Sequence, residues 1–280
     1  MRELLRTAAL LVLLGVTLVV GGVVVGGMGL TATEIQDAET ATKAAGGNAL
    51  LLVIGFAGAA LLYFALLGRG EGSRLLRGAG GGAATYGWIA LLMMGLFPLL
   101  PWLGWDAESF RLPASLKSWE QLLELQEARV EAIMRSVIQH GSLPLLILFM
   151  AVAPGICEEL FFRGALQTQL RRFLHPHVAI WLTALLFSLI HFQVYGLIPR
   201  ALLGAIMGYL TWWTGKLWPA IWAHFLNNAY ATVVAYVGLH VFHHPEWIDS
   251  TYRPPLWLAL AGAVIAGAAG YQLYRRLHRA

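Results

Sequence analysis

The chain has 280 residues, 58% of them hydrophobic and 12% charged, with a formal net charge of +4 and a mean hydropathy of +0.66. That balance excludes a soluble globular domain, and it argues against a nucleic-acid partner, because the basic residues mark the ends of apolar runs and form no patch. The single cysteine, Cys157, excludes an intrachain disulfide and any Cys-rich metal site.

Eight apolar runs of roughly the 20 residues needed to cross a bilayer are predicted, at 8–30, 49–67, 83–104, 143–165, 177–196, 199–215, 217–240 and 254–274. The first is too long for a signal-peptide core and is followed by further runs, so it reads as an uncleaved anchor. The Gly-rich stretch Gly78–Gly82 reads as a flexible connector. The longest extramembrane segment, 105–142, contains a predicted helix from Ser118 to Gln139, opened by a Ser118/Gln121 capping box. Leu122, Leu125, Val130, Ile133, Val137 and Ile138 give it an apolar face; Glu120, Glu124, Glu127, Glu131 and Arg135 are its polar side. A helix lying on the membrane surface or capping the bundle is expected, with substrate gating as the alternative.

Trp102, Trp105, Trp212, Trp213, Trp218, Trp222 and Trp257 fall near span ends, where tryptophan anchors at the interface. Arg2, Arg6, Arg69, Arg74, Arg77, Arg171, Arg172, Lys216, Arg275, Arg276 and Arg279 all fall on one side if eight spans bring both termini together. The other side's short loops hold only Lys43, Arg200 and Arg253. The positive-inside rule then makes both termini cytoplasmic. The expected fold is all-α: one polytopic membrane bundle of about eight helices over 1–280.

Glu158 and Glu159 are the only acidic residues between Leu143 and His240. A charge in a span costs at least about 2.5–3.5 kcal/mol, so such a pair marks a partner or a task. Arg163 lies four residues after Glu159, on the same helical face and in the favourable acid-first order. Glu158, rotated by about 100°, has no such partner, which makes it the candidate for chemistry and Glu159 for support. Glu158 and His191 each lie about 14 residues, or roughly 21 Å of helix, from the turn between their spans. Phe187 precedes His191 by one turn and can pack on its ring; His224 and Asn228 share a face of the next span. These groups can surround one intramembrane cavity, expected to open on the cytoplasmic side, and they are groups that activate water and stabilise an oxyanion. Cys157 is expected as a buried filler, and His240, His243 and His244 as solvated loop histidines. Gly204-x-x-x-Gly208 permits close helix packing, within the chain or between copies.

With Glu158-Glu159-x-x-x-Arg163, Phe187-x-x-x-His191 and His224-x-x-x-Asn228 in order, the chain resembles the CAAX-protease and bacteriocin-processing family of intramembrane endopeptidases. The match covers 143–240, the expected catalytic core. The resemblance implies hydrolysis of a peptide bond in a lipid-anchored or membrane protein or peptide, with a prenylated Cys-a-a-X tail as one substrate class. It also implies a multi-pass location, expected in a prokaryotic plasma membrane. The residues then suggest roles: Glu158, helped by His191, activates water; His224 and Asn228 hold the oxyanion; Arg163 holds Glu159. No cofactor is favoured, but a zinc site on Glu158, His191 and His224 stays open. A proton- or ion-coupled transporter and a non-catalytic partner-binding or immunity factor are the competing classes.

Overall fold

The computed structural model describes residues 1–25, 31–104, 112–249 and 252–278. The end of the first predicted span, Trp105, the start of the long loop and Arg279 lie outside the described residues. Among the described residues the fold is all-helical, without strands. Its helices are α1 (Arg2–Val25), α2 (Ala38–Leu66), α3 (Glu71–Leu76), α4 (Ala83–Leu103) and α5 (Lys117–His140). They continue as α6 (Leu143–Leu170), α7 (Pro176–Leu189), α8 (Leu197–Thr214), α9 (Trp218–Val237) and α10 (Leu256–His278).

Helices α1, α2, α4, α6 and α10 are each long and apolar enough to cross a membrane, so this is an integral, multi-pass membrane protein. Helices α7, α8 and α9, of 14, 18 and 20 residues, occupy the fifth to seventh predicted spans. The two largest departures from the predicted apolar runs have local reasons. Helix α2 starts eleven residues before its apolar run because Asp37 caps it: the Thr40 N–H donates to Asp37 Oδ1 at 2.8 Å, completing a capping box. Helix α7 stops at Leu189, seven residues short of the predicted end, where Phe192 adopts a left-handed φ of 52°.

Small residues decide how closely the helices cross. A Cβ on Gly262 of α10 would lie 2.4 Å from the Gly95 carbonyl oxygen of α4, so the two backbones touch. The Gly204-x-x-x-Gly208 pair is used inside the chain. A Cβ at Gly204 would meet the Ala184 backbone, and the Gly204 and Gly208 carbonyls accept from Arg163 Nη2 (2.8 Å) and Gln167 Nε2 (3.0 Å) of α6.

One end of the bundle collects the basic segments. Gln169 Nε2 donates to Glu3 at 2.8 Å; Arg172 pairs with Glu71; Lys216 Nζ donates to the Arg74 carbonyl at 2.7 Å; and Arg276 Nε donates to Thr85 Oγ1 at 3.2 Å. The beginning of α1 and the end of α10 therefore lie at the same end. At the other end, Trp102 Nε1 donates to the Pro254 carbonyl, and Arg135 pairs with Asp249.

Helix α5 forms close to its predicted limits but begins differently. It starts at Lys117 on a short 3-10 turn with Leu116 at its N-cap and no side-chain cap, so the Ser118 capping box is not made. Its polar side is also not simply solvated: Glu120 and Glu127 are buried, while Leu122 and Leu125 are exposed. Loop backbone explains the burial. Glu120 accepts the Leu112 N–H at 2.7 Å, and Glu127 accepts the Val194 N–H at 3.0 Å, which fastens α5 to the turn between α7 and α8.

Candidate active site

The site is assembled at the middle of α6. Residues Leu160–Gln167 form a π-helical stretch, a geometry that recurs at functional positions, immediately after Glu158 and Glu159. Glu159 and Arg163 are both fully buried, and Arg163 Nη1 donates to Glu159 Oε1 at 2.6 Å. The guanidinium also donates to the Gly204 carbonyl of α8 and lies 4.6 Å from the centroid of the Phe187 ring. A buried ion pair survives only when hydrogen bonds satisfy its remaining atoms, and these contacts supply several of them. The predicted acid-first pair is therefore formed, with a reach extending to two further helices.

Phe187 is the hub of the site. Its ring sits 5.2 Å from the His191 ring and 5.7 Å from the His224 ring, edge-to-face in both cases. His191 is not inside a helix, as the apolar run suggested, but one residue beyond the α7 C-cap. Its N–H turns back to the Ser188 carbonyl, and its Nδ1 takes over the freed Phe187 carbonyl at 2.8 Å. A carbonyl only accepts, so Nδ1 carries the proton, and in the neutral ring Nε2 keeps the lone pair a base needs.

His224 is buried, and its Nδ1 lies 2.8 Å from Glu159 Oε1, the same oxygen that Arg163 holds. Glu159 thus orients both Arg163 and His224. Sequence spacing did not show this link, because Glu159 and His224 are 65 positions apart. Glu158 is buried as well, and its Oε2 has no hydrogen-bond partner among the described residues. Asn228 Oδ1 accepts from Asn227 Nδ2 at 3.1 Å.

Glu158, His191, His224 and Asn228 line one cavity of about 230 Å³, together with Phe187, Asn227, Gly196, Pro199 and Arg200. All six predicted site residues therefore belong to one constellation: four line the cavity, and Glu159 and Arg163 brace it from behind. Gly196, Pro199 and Arg200 form one wall of the cavity, at the junction of α7 and α8. Arg200 is the residue that sequence reasoning missed, having counted it only as a loop charge. Its guanidinium donates to Gln193 Oε1 at 3.1 Å and passes so close to Gly196 that any Cβ there would lie 2.6 Å from Nη2. A charged side chain immediately beside Pro199, between apolar runs, was the available signal.

Among the described residues, no three His, Cys, Asp or Glu side chains converge as a metal-binding group. Glu159 engages only the His224 Nδ1, and Glu158, His191 and His224 line the same cavity. Cys157 is buried. The three loop histidines do not cluster: His240 bonds the Tyr236 and Gln139 carbonyls, and His244 pairs with Glu246.

Residues 140–230 match the family described as "Type II CAAX prenyl endopeptidase Rce1-like". The chain is also 27% identical over 123 residues to the uncharacterized protein YpbD of Bacillus subtilis (strain 168), covering 42% of this chain and 60% of that protein. No solved structure matches the chain. The family resemblance drawn from the three motifs is thus borne out, and the segment that carries the cavity is Rce1-like.

Proposed function

We propose that this protein is an intramembrane endopeptidase that hydrolyses a peptide bond of a membrane-anchored substrate by direct attack of water. The observation that carries this reading is the convergence of Glu158, His191, His224 and Asn228 on one cavity inside an Rce1-like segment. Glu158 has an unengaged carboxylate oxygen and takes the proton of a water bound between it and the free Nε2 of His191. The hydroxide attacks the scissile carbonyl. His224, fixed by Glu159 through Nδ1, has Nε2 left for the cavity, and as an imidazolium it donates that N–H to the oxyanion beside Asn228. A donor of this kind contributes about 2.7–4 kcal/mol. The proton then passes from Glu158 to the leaving amine as the tetrahedral intermediate collapses. Arg163 holds Glu159 in place, and no step is routed through a metal.

The bundle is read as eight spans, with α7, α8 and α9 completing the five long ones. The positive-inside rule places its basic end, and both chain termini, in the cytoplasm. The cavity wall at Gly196, Pro199 and Arg200 adjoins the segment to which Glu127 fastens α5. A prenylated Cys-a-a-X peptide is the first substrate class to try, because the matched family is described by it. The test is cleavage of a fluorogenic farnesylated Cys-a-a-X peptide by detergent-purified wild type and Glu158→Gln, with and without chelator. Cleavage by wild type in chelator and its loss in the variant are expected. Equal cleavage by both proteins would overturn the role of Glu158, and loss in chelator would overturn the metal-free step.

A further inference from the structure

A second cavity, of about 790 Å³, lies at the basic end, between the start of α4 and the end of α10. Its wall includes Arg275 and Arg276, Gln272, the Gly80–Gly82 backbone and two tryptophans, Trp88 and Trp213, and no carboxylate lines it. Arg275 Nε is buried and has no hydrogen-bond partner among the described residues, while Arg276 is held by Thr85 through Nε alone. Gly82, on the cavity wall, is the N-cap of α4 and provides no side chain; its carbonyl takes the Thr85 N–H, which leaves the Ala83 and Ala84 N–H groups of a long helix uncapped.

We infer that this cavity binds the phosphate of an anionic membrane lipid. Two arginines on one cavity wall without a carboxylate beside them favour an anion, and a phosphate takes their terminal nitrogens in the two-pronged geometry that arginine favours. The helix N-terminus adds aligned N–H groups that attract the same anion. A free phosphate accounts for the charges but not for the volume or the apolar remainder of the wall. Trp88 and Trp213 are the aromatic side chains that sit at headgroup level in membrane proteins, and basic pockets between helix ends on the positive side take anionic headgroups.

The test uses the full-length protein in nonionic detergent and a fluorescent short-chain phosphatidylglycerol followed by anisotropy. Wild type should bind it, and Arg275→Gln/Arg276→Gln should bind at least about tenfold more weakly, the scale of one lost charge-assisted hydrogen bond. Unlabelled dihexanoyl phosphatidylglycerol should displace the probe at far lower concentration than inorganic phosphate, and dihexanoyl phosphatidylcholine should not displace it. If the double variant does not fold, Arg275→Lys carries the test, because it keeps the charge but loses the fork, and several-fold weaker binding is expected. Unchanged binding in the folded variant overturns the site. Displacement by inorganic phosphate as readily as by the anionic lipid overturns the lipid assignment.

Discussion

Two adjacent glutamates carry the same charge into the same membrane and differ in what surrounds them. Glu159 is engaged by Arg163 and His224 through Oε1 while its Oε2 is unbonded among the described residues, whereas Glu158 has neither of these partners and lines the cavity. The difference separates stability from chemistry. Arg163→Met should destabilise the protein by about 3–5 kcal/mol, the cost of leaving one buried charge alone. Glu159→Gln/Arg163→Met should recover much of that loss. Chemical unfolding of the detergent-solubilised variants checks both, and a double variant no more stable than the single one would contradict the coupling. Glu158→Gln should leave stability nearly unchanged while cleavage falls by about 10²–10⁴-fold, the usual contribution of a general base.

At the level of helices, much was legible because membrane spans announce themselves by length and apolarity. Each of the eight predicted runs overlaps a helix among the described residues. The acid-first Glu159/Arg163 pair was legible because a helix places residues four apart on one face. The end of α7 was not, since Phe187-Ser188-Leu189-Ile190-His191 continues apolar past the true stop and Phe192 bears no mark of a left-handed turn. The Glu159–His224 bond and the burial of Glu127 were also hidden, because both depend on contacts between distant segments. The α4–α10 crossing yields a prediction of its own. Gly262→Ala gains about 1 kcal/mol in helix propensity, but its Cβ meets the Gly95 backbone, and overpacking costs about 1–3 kcal/mol. Net destabilisation is expected in thermal unfolding, and a stabilised variant would show that the backbones can part cheaply.

Across the whole molecule, the basic segments gather at one end of the bundle, and the proposed topology puts that end in the cytoplasm. The buried Cys157 gives no background to an impermeant thiol reagent, so Gly82→Cys and Glu246→Cys, both exposed, can report on the two ends. In sealed cells the first should be silent and the second labelled, and the reverse pattern would invert the topology. Neither result alters the chemistry proposed for the cavity. That chemistry is tested most directly by measuring binding and cleavage of one farnesylated Cys-a-a-X peptide side by side in wild type and Glu158→Gln. An unchanged Kd with cleavage reduced to below about one hundredth is the result this arrangement requires. Cleavage by the variant near the wild-type rate, or loss of binding together with cleavage, would contradict it.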